Sequence, residues 1–398
     1  MALDMKRVID IAESDILDLI SNGIEEGREI DYKELLKISS DGDKKEFLAD
    51  VSSFANASGG HLVLGVAESD GRPTAIKPLT IASWDAERLR IESLVRDGIS
   101  PRFTIELAAI PVPPSGHVIV VRIPRSWSGP HMVSFQHSGR FYSRNSGGKY
   151  LLDVGELRTA FTSGAQVADA IRVFRQNRLS SIVSGETPVG LPESAKLIIH
   201  CCPYTSTALG NAVNLRKAHN TELIRPMYGG YSTRYNLDGL ISFTPDSKVQ
   251  GLAHSYFQLF RDGKIECVDS NLLRPRGTTN HIPCVAFEAA CIACVRRLLA
   301  LLRTLEMEPP AAVMVTLLGV NSYALGINPL RGFDSVLIDR DALILTPEIA
   351  DSYDVDAAAL LKPTLDALWN AAGLSGCDDY DASGQPTKEL QEAMQRVW

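Results

Sequence analysis

Two acidic stretches carry residues that could do chemistry together. EEGREIDYKE, residues 25–34, holds Glu26, Asp31 and Lys33, and HLVLGVAESDG, residues 61–71, ends with Glu68 and Asp70. Between them FANASGG, residues 54–60, closes a helix on a double glycine and hands the chain to an apolar strand. That turn brings Glu68 or Asp70 back toward the first stretch. Carboxylates gathered this way either hold a divalent cation or sit as ordinary solvated charges, and spacing alone leaves both readings open. Asp31 and Lys33 share a strand face, so Lys33 either neutralises a phosphate or pairs with a carboxylate. Glu26 and Asp31 are an odd number of positions apart, which on a straight strand points them to opposite faces; Gly27 offers the bend that would reunite them.

The cations have their own pattern. No Asp or Glu occurs from Leu107 to Leu152, whereas Arg122, Arg125, Arg140, Arg144 and Lys149 all fall inside that interval. Arg140, Tyr142 and Arg144 alternate and therefore share one face of a strand, where two guanidiniums and a ring suit a phosphate backbone with one stacked base. An edge strand with ordinary solvated charges gives the same alternation. Arg172, Arg175 and Arg178 recur at helical spacing and read as a row facing water. The net charge of −8 excludes a uniformly basic coat, so the expectation is an acidic cluster beside a basic groove.

These residues must be positioned by a short helix through DILDLISNG, a strand at EIDYKEL and a helix over DGDKKEFLADVSSFANAS with Asp41 or Asp43 as its N-cap. A strand beginning at His61 follows and carries Glu68 at its far end, with further strands at RFTIELAAI, HVIVVRIP and GRFYSRN. The succession predicts an α+β domain over residues 1–165, a helix and linker over 166–194, and a second α+β domain over 195–398. The latter has a hairpin at FRDGKIECV and a long helix from about Val285 to Leu305.

EGREIDYK, SSFANASGGHLVLGVAE and GRFYSRN together resemble the AlbA-like domain of Schlafen proteins. The resemblance covers roughly the first domain and implies a mixed sheet with helices that binds nucleic acid. Some members of that family are metal-dependent endoribonucleases acting on tRNA or rRNA through three acids; many bacterial relatives are labelled DNA-binding or transcriptional. Carried over by position, the acids fall on Glu26, Asp31 and Glu68, as catalytic residues and as ligands of Mg2+ or Mn2+, with Lys33, Arg140, Tyr142 and Arg144 as nucleic-acid contacts. The resemblance thus implies an endoribonuclease on structured RNA, RNA being favoured over DNA, in a setting of bacterial defence. The alternative is a non-catalytic DNA-binding regulator whose C-terminal domain senses a ligand, forms a homo-oligomer or engages a partner protein.

Other classes lack support. There is no G-x-x-x-x-G-K-[ST] loop for an ATPase, and the eight histidines include no H-E-x-x-H. Seven cysteines, all between Cys201 and Cys377, read as reduced core residues, the Cys291–Cys294 pair included. No run of about 18 apolar residues and no signal peptide is evident, so a cytoplasmic protein without a membrane anchor is expected.

Overall fold

A computed structural model describes residues 3, 6–208, 210, 212–275, 280–327 and 336–396. The chain divides into two units, Met1–Gln166 and Val167–Trp398. Both mix helices and sheets, the α+β class that the order of the segments predicts.

The first unit begins with α1 (Glu13–Ser21), whose Asp15 side chain accepts the Ala12 N–H at 2.8 Å and whose Ile16 and Leu19 are buried. Strand β1 (Ile30–Lys33) runs parallel to β2 (Gly60–Leu64), pairing Ile30 with His61 and Asp31 with Leu62. The crossover between them is α2 (Asp41–Ala55). Its N-cap is Ser40 rather than either expected acid: the hydroxyl accepts from Asp43 N–H while the Ser40 N–H donates to the Asp43 carboxylate, both at 3.1 Å. Asp43 is thus the reciprocal partner in the cap.

The double glycine is structural. Gly59 has φ +75° and its N–H reaches Phe54 O at 2.9 Å, closing α2. A Cβ on Gly60 would stand 2.3 Å from the Glu29 carbonyl oxygen, so only glycine lets β2 lie this close to the chain entering β1.

Past β2 the sequence reading needs correction. Gly65 at φ +96° breaks the apolar run, and Glu68 sits on a separate hairpin, β3 (Val66–Ser69) and β4 (Arg72–Ile76), turning at Asp70-Gly71 with φ +53° and +75°. After α3 (Trp84–Gly98) come β5 (Ile99–Ser100), β6 (Glu106–Pro111), β7 (His117–Ile123), β8 (Met132–Val133), β9 (Arg140–Asn145) and β10 (Gly148–Leu151). They complete two four-stranded sheets, ordered β1-β2-β7-β6 and β10-β9-β8-β5. Phe47, Leu48, Val51 and Phe54 of α2 pack with Leu62, Leu64, Ile119 and Val121 from one face of the first sheet; Tyr32, Val63, Val118 and Val120 meet Ile16 and Leu19 on the other.

Helix α4 (Val154–Val183) runs from one unit's sequence into the other's. Within the second unit its Leu179 and Ile182 pack on Ile198, Ile241, Tyr256 and Val268. The large sheet there takes β11 (Lys196–Pro203), β12 (Ser232–Tyr235), β13 (Gly239–Pro245), β14 (Ala253–Phe260) and β15 (Ile265–Asp269). It is completed by β17 (Ala311–Leu318), β19 (Ala342–Ile344) and β20 (Glu348–Ala350). The order is β12-β13-β14-β15-β11-β17-β19, with β20 also on β17, and every pairing is antiparallel. A two-stranded piece joins β16 (His281–Ile282) to β18 (Ala324–Leu325). Gly263, at φ +93°, makes the expected β14–β15 hairpin turn. The opposite face packs on α6 (Cys284–Thr304), with α5 (Leu215–His219), α7 (Ala357–Ala371) and α8 (Lys388–Arg396) completing the helices. All seven cysteines are buried.

Arg175 and Arg178 depart from the solvated row. Arg175 is buried, bonding Val315 O at 2.6 Å, Thr316 Oγ1 at 2.7 Å and Leu345 O at 2.8 Å, while Arg178 forks onto Glu266 at 2.8 and 2.9 Å. Arg172, paired with Asp169, is exposed.

Candidate nucleic-acid interface

The acidic and basic stretches of the first unit meet between the β1 edge and β9. Arg144 on β9 donates to Asp31 Oδ2 at 2.8 Å and to Gly27 O at 3.1 Å, and its guanidinium lies 3.9 Å from the Phe54 ring centroid. Its side chain is 1% exposed. The other Asp31 oxygen accepts from Lys33 Nζ at 2.7 Å. Burial disfavours the charge on Asp31, yet Lys33 and Arg144 together hold its carboxyl below the usual range. Strand alternation does not keep Arg140 and Arg144 alike: along β9 Arg140 is exposed and Arg144 buried.

Glu26 bends back as the glycine predicted. Its Oε1 accepts the Tyr32 N–H at 2.8 Å, and it lies close enough to Asp31 for the two acids to feel each other. Burial, assisted by the Asp31 charge and opposed by the Tyr32 bond, pushes the Glu26 carboxyl up. A third acid, Asp50 on α2, was missed in the sequence. It is buried and accepts from Lys149 Nζ at 2.8 Å; the same ammonium also holds Glu46. Burial raises the Asp50 carboxyl, with Lys149 pulling against it. Lys33 faces all three: burial works against its charge, but Asp31, Asp50 and Glu26 raise it overall. The only sequence signal for Asp50 is its i,i+4 spacing from Glu46 on one helix face.

Glu68 stands apart from this network. Its carboxylate accepts the Gly71 N–H at 2.9 Å and ties the β3–β4 turn, while Glu26 meets the hairpin through its own N–H, bonded to Gly71 O at 2.6 Å. Among the described residues, one group of three side chains has ligand atoms within 4.8 Å of one another, Glu288, Cys377 and Asp379 in the second unit. Glu26, Asp31 and Glu68 are not such a group, although Glu26 and Glu68 both bond Gly71.

Of the expected nucleic-acid contacts, Arg140 is exposed, Lys33 keeps 42% of its side chain accessible, Tyr142 is half-buried against the core and Arg144 is internal. Asn56 fixes this edge: its Nδ2 donates to His131 O at 2.9 Å and Tyr142 O at 2.8 Å, and its Oδ1 accepts His131 N–H at 2.6 Å.

A mixed sheet crossed by α2, with a basic hairpin fastened to its β1 edge by Arg144, defines the first unit as an α+β domain. Residues 26–153 match the family model described as Schlafen, AlbA_2, so the first unit carries a Schlafen AlbA-like domain. Comparison with curated proteins gave no match. Among solved structures, the N-terminal domain of a RecG-related protein from Nitrosomonas europaea is 20% identical, over 34% of this chain and 88% of that one, with a TM-score of 0.27. The DIP2311 protein from Corynebacterium diphtheriae is 14% identical over 35% of this chain and 29% of its own, with a TM-score of 0.26. No helix among the described residues is long and apolar enough to cross a membrane.

Proposed function

We propose that the first unit binds nucleic acid as a non-catalytic module, with Arg140 and Lys33 as its phosphate contacts and the acids as internal counter-charges. One observation carries this reading: Asp31, the carboxylate most central to any ion site, is buried and already paired with both Lys33 and Arg144. A carboxylate already paired with two cations has little need of a third. The AlbA-like match and the acid-free stretch from Leu107 to Leu152 support nucleic acid as the partner.

Fluorescence anisotropy with labelled RNA and DNA duplexes tests it. The double change Arg140→Ala with Lys33→Ala should weaken binding and flatten the log–log salt slope by roughly one to two phosphate contacts. An unchanged slope in the folded variant defeats the assignment. Cleavage of structured RNA on adding Mn2+, lost in chelator and in Asp31→Asn, would overturn the non-catalytic reading in favour of a metal-dependent endoribonuclease.

A further inference from the structure

In the second unit the large sheet ends at β12, and around that strand three tyrosine rings stand open to solvent: Tyr228 at 45%, Tyr231 at 40% and Tyr235 at 51% exposure. Tyr228, whose ring meets His254 edge-on, and Tyr231 lie in the chain leading into β12 and Tyr235 on the strand itself; exposed rings of this kind pair an apolar body with a polar rim. Tyr235 pairs with Leu240 in the sheet register and so lies on the α5 face. There the His219 ring stacks over it, with centroids 5.3 Å apart and planes 24° from parallel. The neighbouring Arg234 turns to the other face, where it lies 5.4 Å from the Phe243 ring and donates to Pro188 O at 3.0 Å. Among the described residues neither Arg234 nor the exposed Arg216 of α5 has a carboxylate partner.

The local charge is opposite to that of the chain. Residues 212–239 hold two acids, Glu222 and Asp238, against four Lys or Arg and a histidine, of which Lys217 is paired with Glu306 at 2.7 Å, in a protein of net charge −8. Rings that are ordered and open, with guanidiniums that no carboxylate neutralises, complement a polyanion whose bases are free to stack. A duplex hides those base faces and gains nothing from the rings. We propose that this tyrosine edge is a second nucleic-acid surface, selective for unpaired strands. It takes from the reading of the first unit only the kind of partner and uses none of its residues.

The test uses the full chain, a labelled single-stranded oligothymidine or oligouridine of about 20 nucleotides and a duplex of the same length. Changing Tyr231→Ala together with Tyr235→Ala should weaken single-strand binding by about 10-fold or more, the effect of losing stacked bases, and leave duplex binding unchanged. The Tyr231→Phe, Tyr235→Phe pair keeps both rings and should bind as wild type does. Alanine variants that hold the single strand normally, or phenylalanine variants as weak as the alanine ones, overturn the proposal. So does wild-type self-association in sedimentation that the alanine pair abolishes, which would make the edge a contact between copies. Repeating the series with Arg140→Ala and Lys33→Ala in place separates the two readings, because failure of the first-unit contacts would leave the tyrosine effect standing.

Discussion

Each unit buries a carboxylate against an arginine, and the two sites differ in what else they reach. Glu266 is enclosed: Arg178 forks onto it at 2.8 and 2.9 Å, His200 Nε2 lies 2.9 Å away and the Tyr256 hydroxyl donates at 2.7 Å. Burial opposes its charge, yet His200 and Arg178 hold its carboxyl down at about 2. Asp31 has Arg144 on the inside, but its second partner, Lys33, keeps 42% of its side chain in solvent. The outermost cation of the Glu266 network, Arg178, keeps 18% of its side chain accessible, whereas that of the Asp31 network opens much further to the surface. Burial of a salt bridge alone therefore does not separate a closed tie from one that offers a cation to solvent; the exposure of its outermost member does.

The contrast would break most visibly at Glu266. Glu266→Ala strands the Arg178 guanidinium and His200 and should cost about 3–5 kcal/mol, read as a lowered urea midpoint for the second unit. A loss under about 1 kcal/mol would mean that water reaches the site and the enclosure is wrong. Acid should sharpen the same point. With its pKa held at about 2 against an ordinary 4.5, Glu266 contributes about 3 kcal/mol that is fully present above pH 4.5 and lost as the pH falls through about 2. Asp31, also depressed, acts with the same sign below its ordinary 3.8. Glu26 is raised, so its contribution has the opposite sign, present below its ordinary 4.5 and lost as pH rises through its folded value. Circular dichroism melts across pH 2 to 7 check the order of loss. Arg144→Ala comes last, at about 2–3 kcal/mol, because Lys33 remains to hold Asp31. A penalty equal to that of Glu266→Ala would erase the difference between the sites.

The fold class was legible because apolar periodicity marked nearly every long element, and the turn residues did the rest. FRDGKIECV declared its hairpin through Gly263, while HLVLGVAESDG concealed one: the apolar run reads as a single strand, and only the positive φ of Gly65 ends it at Leu64. The Asp31–Lys33 pairing followed from strand alternation. Asp50 did not, since its partner Lys149 comes from a distant part of the chain and a helix face with Glu46 and Asp50 looks solvated until β10 covers it. Arg144, Arg175 and Arg178 were misread for a related reason. Periodicity says which residues share a face, and tertiary packing decides whether that face meets water.

The Asn in FANASGG extends to a different property, chemical ageing. Asn56 spends its amide nitrogen on two carbonyls, His131 O and Tyr142 O. Deamidation replaces that nitrogen with oxygen, so the same two carbonyls would confront an anion that can donate to neither. A change of one mass unit at this position would therefore act as a lesion, loosening the loop before β8 and the middle of β9 together while leaving the composition of the protein almost untouched.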